Sequence, residues 1–168
     1  MTDGVGHLWA GWRSTYIAAA TAGDPDEMCV LCRITAPDVD DRDGLIVWRG
    51  DTAAVVMNAY PYTSGHVMVL PTRHVADLES LRVDEFGDLF DGVRRAVVAI
   101  KAAYRPGGLN VGANLGRPAG AGVPGHLHFH ALPRWDGDTN FMTAVASTRV
   151  LPEALEESWQ KLRAAWPG

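Results

Sequence analysis

The chain has 168 residues, with 47% hydrophobic and 21% charged side chains, a composition ordinary for a globular protein with one full-sized core. Its net charge of −5 excludes an extended nucleic-acid surface, which needs clustered Lys and Arg to displace counterions, but not a small phosphorylated ligand, which a few N–H donors can hold. No apolar run reaches the length of a membrane span, and the first residues lack the basic and apolar regions of a signal peptide, so no membrane partner and a cytoplasmic location are expected.

Residues 1–25 read as an N-terminal arm. Within it "HLWAGWRSTYIAAAT" (7–21) spaces apolar residues as a helix does, and its two tryptophans dock either on a second subunit or on the chain's own core. "MCVLC" follows, with Cys29 and Cys32 as a C-x-x-C. This is a redox pair, half of a metal site, or coincidence. A redox motif sits after a strand and opens a helix, whereas "AGDPDE" reads as a polar turn. In a reducing compartment a metal site is the better functional reading, and two sulfurs then need two further ligands.

"LIVWRG" and "DTAAVVMNAY" form a predicted hairpin about Gly50-Asp51. "HVMVLPT" is a third strand. The long segment 82–104 places Phe86, Leu89, Phe90, Val93, Val97 and Ile100 at steps of three and four, which predicts an amphipathic helix with Asp84 as its N-cap. "GLNVGANLG" (108–116) reads as a strand, 116–125 as a glycine-rich loop, "HLHFHALP" (126–133) and "FMTAVASTRV" (141–150) as strands. "LPEALEESWQKLRAAW" closes the chain as a helix with Pro152 near its first turn. Hairpins and sequential strands favour an α+β fold: a mainly antiparallel sheet, a long helix packed on it and a C-terminal helix.

Two signals collide at "AGAGVPGHLHFHALPRW". Gly120, Gly122 and Gly125 spell G-x-G-x-x-G, but that fingerprint must open a helix. Here it precedes a period-two segment ending in Pro133. The dinucleotide fold is rejected, while the loop can still bring N–H groups to an anion. Three of the six histidines, His126, His128 and His130, alternate with Leu127, Phe129 and Ala131. On a strand, alternate residues share a face, with Cα atoms roughly 6.5–7 Å apart. Three aligned imidazoles allow either a catalytic metal that activates water or a nucleophilic imidazole with two helpers. Few acidic residues lie beside the triad to complete a two-metal hydrolase; Asp136 and Asp138 are nearest, across a Pro-Arg-Trp turn. Nucleophilic chemistry on phosphorus fits better, with the loop, Arg117 and Arg134 as phosphate contacts.

"HLHFHAL" resembles the His-φ-His-φ-His-φ-φ signature of the histidine triad superfamily of nucleotide hydrolases and transferases. "NAYPYTSGHVMVLPTRHV" (58–75) is similar to the family's Asn-x-x-Pro…Gly-His-x-x-x-x-Pro-x-x-His segment. "LWAGWRSTYI" and "PRWDGDTNFM" resemble the branch of bacterial diadenosine tetraphosphate phosphorylases and ATP adenylyltransferase-like proteins. The resemblance implies a single triad-type domain over 1–168, usually a homodimer, and a reaction through a nucleotidyl-histidine intermediate. By position, His128 would be the nucleophile, His126 would help set its tautomer, and His130 would contact phosphates near the leaving oxygen. Asn58 would contact the ribose and Asn114 the phosphates, although either residue type also caps turns. Trp135 would pack beside the phosphates or in the core.

Many relatives carry Ser, Thr or Gln before the triad. "RPAGAGVPG" has none, so donation would fall to backbone N–H groups, of Ala121, Gly122 and Val123. A polyphosphate leaving group tolerates this better than an amine. The resemblance also implies structural zinc held by Cys29, Cys32, His74 and His126, with no cofactor in catalysis; buried thiols with a capping His74 are the alternative. His66 and His7 read as structural. The expected activity is phosphorolysis of a dinucleoside polyphosphate by inorganic phosphate to ATP and ADP. The alternatives are a hydrolase or phosphoramidase releasing AMP to water, a metal-dependent hydrolase, and a binding module without turnover.

Overall fold

The computed structural model describes residues 28–138 and 151–168. The expected N-terminal helix 7–21, His7 and the strand 141–150 lie outside them. A five-residue helix α1 (Val30–Ile34) comes first. The strands β1 (Ile46–Arg49), β2 (Ala53–Met57) and β3 (Val67–Pro71) follow as antiparallel neighbours. Then come the long helix α2 (Val83–Tyr104), β4 (Gly108–Ala113), β5 (Phe129–Arg134) and helix α3 (Leu155–Ala164). Among the described residues the sheet has five strands in the order β1-β2-β3-β5-β4, with β1 and β4 at the two ends of that order. All its pairs are antiparallel, and the α+β expectation holds. No helix of the described residues is long and apolar enough to cross a membrane.

One sheet face is covered by α2. Leu89, Ala96, Ala99 and Ile100 pack on Val55, Met57, Val67, Val69, Leu127 and Ala131. Each buried branched side chain contributes about 1.5–3 kcal/mol, so this layer dominates the fold's stability. The buried ridge differs from the predicted stripe. It runs through Leu89, Gly92, Ala96 and Ala99, while Phe86 and Phe90 are 46% and 38% exposed. Close approach is the reason: a Cβ at Gly92 would stand 3.0 Å from Val69 Cγ1. Helix α2 also starts differently. Its N-cap is Arg82, whose N–H donates to Glu85 at 2.9 Å, and Asp84 sits inside the first turn. Helix α3 begins at Leu155, after Ala154 as N-cap, so Pro152 precedes the helix rather than lying in its first turn.

Among the described residues, α1 covers one end of the opposite face. Leu31 of α1 joins Ile46, Val56 and Leu70 in a small cluster, with Cys29, Ile34, Met68 and Val123 against it. The rest of this face carries the histidines, of which His66, His126 and His128 are buried.

Candidate active site

The triad does not lie wholly on a strand. Strand β5 starts at Phe129, where its pairing with both Val69 and Ala113 begins. Beyond that point the ladder gives way to single bonds. Leu127 N–H donates to Val75 O at 2.7 Å, and His126 Nε2–H to Pro71 O at 2.8 Å. The alternation persists nonetheless. Leu127 and Ala131 are in the core under α2, which turns the three imidazoles to the other face.

The hydrogen bonds fix each ring's tautomer. His128 is 5% exposed, and its Nδ1 lies 2.8 Å from the carbonyl oxygen of His126. A carbonyl only accepts, so Nδ1 carries the proton and Nε2 keeps its lone pair. Burial holds the His128 pKa below the ordinary histidine value, which favours this neutral form. His130 is ordered by a fourth histidine. Tyr62 N–H donates to His66 Nδ1 at 3.1 Å, and His66 Nε2 lies 2.9 Å from His130 Nδ1. The His66 proton is therefore on Nε2 and is donated to His130 Nδ1. That leaves His130 protonated on Nε2, where it can donate to an anion. His66 is fully buried. Read as structural from sequence, it sets the tautomer of a triad member; its place in the Gly-His segment was the available signal.

Asn58 lies at the mouth of the loop leading to His66. Its Oδ1 accepts from Tyr60 N–H at 2.9 Å, and its Nδ2 is 3.4 Å from His66 Nδ1. Asn114 Nδ2 donates to Gly120 O at 3.3 Å, which ties β4 to the glycine-rich loop. Within that loop Ala121 is buried and donates its N–H to Gly116 O at 3.2 Å. The N–H groups of Gly122 and Val123 have no partner among the described residues. Arg134, expected as a phosphate contact, is bound by Asp138 at 2.5 and 2.8 Å and by Asn110 at 2.9 Å. Arg117 has no ion pair among the described residues. Trp135 is half-buried and meets Tyr104 edge-on at 6.1 Å between centroids.

A second cluster adjoins the first. The ligand atoms of Cys29, Cys32, His74 and His126 lie within 4.8 Å of one another, and among the described residues this is the one His/Cys/Asp/Glu group with that spacing. His126 Nδ1 is 3.5 Å from Cys29 Sγ and 3.4 Å from Cys32 Sγ; His74 Nδ1 is 3.3 Å from Cys32 Sγ. Ligands about 2.0–2.3 Å from a tetrahedral zinc stand at such separations. His126 has its proton on Nε2, facing Pro71, so its Nδ1 lone pair faces the sulfurs. Burial and the nearby Cys29 push the Cys32 thiol up to about 11, a penalty that a bound cation reverses. The donor set fits a closed structural zinc site. His128 and His130 stand outside it, which disfavours a catalytic metal on the triad.

A family model described as the HIT domain matches residues 41–137. The AP-4-A phosphorylase of Mycobacterium tuberculosis is 38% identical over 167 residues, 98% of this chain and 86% of that protein. The asymmetrical bis(5'-nucleosyl)-tetraphosphatase of Schizosaccharomyces pombe is 36% identical over 93 residues, 55% of this chain and 50% of that protein. The crystal structure of a zinc-bound histidine triad family protein from Mycobacterium smegmatis superposes with a TM-score of 0.65 at 28% identity, covering 82% of this chain and 91% of that one.

Proposed function

Since the chain belongs to the HIT domain family, we propose that it cleaves diadenosine tetraphosphate by phosphorolysis through an adenylyl group carried on His128. The observation that carries this is the bond from His128 Nδ1–H to the His126 carbonyl, which aims a neutral Nε2 lone pair out of the sheet. Nε2 attacks the α-phosphorus, the bond to the bridging oxygen breaks, and ATP leaves with that electron pair. Inorganic phosphate then attacks the same phosphorus, the N–P bond breaks, and ADP is released. Two in-line displacements replace one difficult step. The His130 Nε2–H and the Gly122 and Val123 N–H groups offset charge building on the phosphate oxygens. The 38% identical phosphorylase supports phosphate, rather than water, as the acceptor.

Zinc at Cys29, Cys32, His74 and His126 would be structural, because four protein ligands leave no position for water. It would hold the His126 main chain, and so the carbonyl that His128 uses. A homodimer is supported by the end position of β4 among the described strands and by the exposed Phe86, Phe90, Val111 and Leu115, apolar side chains that a second copy would cover.

Product analysis decides the acceptor. With phosphate, diadenosine tetraphosphate should give ATP and ADP, and without phosphate turnover should stop after one adenylylation. Steady formation of AMP and ATP without phosphate would assign the protein to the hydrolases instead.

A further inference from the structure

Gly112 is a glycine that the fold itself does not require. It lies inside β4, where glycine weakens a strand. Its φ is not positive, so a side chain would cause no backbone strain. A Cβ built on it meets no atom within 4 Å. Neither conformation nor packing explains it. Its cross-strand partner is His130. Paired residues of an antiparallel ladder share a face, with Cβ atoms about 4.5–5.5 Å apart. A side chain at 112 would therefore stand beside the His130 ring, on the histidine face of the sheet. The other flank of His130 is walled: Met68 is its partner on β3, and His66 holds its Nδ1 at 2.9 Å.

We infer that Gly112 keeps the sheet floor open beside His130 for the phosphate chain beyond the reacting phosphorus, and so selects substrates with long polyphosphate leaving groups. This rests on the proposed roles of His128 and His130. A glycine in a strand interior often marks close approach of a ligand, and here the position beside a triad histidine along β4 is the one without a side chain.

The test uses the full chain, with Gly112→Val and Gly112→Ala as variants. Valine favours an edge strand, so the fold should hold. Gly108→Val is the control: same strand, same face and equally open, but about 13 Å away along the strand. Affinity is measured by calorimetry for AMP and for a non-cleavable methylene-bridged diadenosine tetraphosphate. Gly112→Val should weaken the bridged analogue at least about tenfold while AMP changes less than about threefold. Gly112→Ala should give a smaller loss of the same kind, and Gly108→Val none. Equal loss for both ligands, or no loss, overturns the inference. So does a change of oligomeric state by light scattering with both affinities unchanged, because the space would then belong to a second copy. If the wild type binds the analogue but does not turn over diadenosine tetraphosphate with phosphate, phosphorolysis fails and the Gly112 assignment stands. If the wild type binds AMP and not the analogue, both fail.

Discussion

His126 and His128 are two residues apart, share one face and are both buried, yet they hold opposite tautomers. His126 gives its Nε2–H to Pro71 O and turns Nδ1 toward two sulfurs. His128 gives its Nδ1–H to His126 O, which leaves the lone pair on Nε2. Which carbonyl lies in reach decides whether an imidazole is a metal ligand or a nucleophile. The two clusters also share a residue. The His126 ring belongs to the Cys/His group, and its carbonyl accepts from His128, the proposed nucleophile. Disturbance of the first should therefore reach the second, and the reverse should not occur.

His128→Ala should break the catalytic half completely. Adenylylation from radiolabelled substrate should vanish and turnover should fall on the order of 10⁴-fold or more, while bound zinc stays unchanged. Retained labelling would overturn the nucleophile. His66→Ala should follow, with a loss of roughly 10²-fold, because His130 loses the bond that keeps its proton on Nε2. The loss should be larger for substrates with poor leaving groups, a dependence that mere loosening of packing would not produce. His66→Gln, whose amide can still donate to His130 Nδ1, should recover part of it. Cys32→Ser should cost roughly 10-fold or more in metal affinity. It should also lower turnover more mildly, by releasing the His126 carbonyl. Full activity in a protein with no bound metal would separate the two clusters.

The chain announced these clusters unevenly. Period-two patterning placed the imidazoles on one face and Leu127 and Ala131 in the core, because a pleated strand alternates wherever one side is buried. The hairpin and third strand were legible from apolar runs broken by turn residues, and the long helix from its three-and-four spacing. The ridge of α2 was not. Hydrophobicity favoured Phe86 and Phe90, whereas the tight helix–sheet gap selects Gly92, Ala96 and Ala99, residues with little hydrophobic signal. The tautomers were also out of reach. They depend on contacts between segments distant in sequence, such as His66 with His130 and His126 with Pro71, which no local pattern encodes. The resemblance to the triad family, by contrast, named the four Cys/His residues that the structure gathers.

The smallest expected effect concerns what supports the Cys/His side alone. Glu85 is 1% exposed. It accepts two bonds of 2.7 Å from Arg73 and one from Arg82 N–H. Arg73 adjoins His74 and lies in the segment that supplies Pro71 O and Val75 O. The Arg73 guanidinium, and after it the Arg82 N–H, holds the Glu85 carboxyl at about 2. An unfolded glutamate titrates near ~4.3, so between these values the unfolded chain binds more protons, and stability rises with pH. The contribution is complete above the unfolded value and is lost as pH falls toward the folded one. Glu85→Gln keeps the shape and removes the titration. Urea midpoints of metal-free protein, taken from about pH 5 down to about pH 2.5, should fall less steeply in the variant than in the wild type. The same variant should weaken zinc binding while leaving single-turnover adenylylation of zinc-loaded protein nearly unchanged. Equal acid slopes in the two proteins would remove Glu85 from this role. A variant that lost adenylylation with zinc still bound would show that the clasp serves the triad directly.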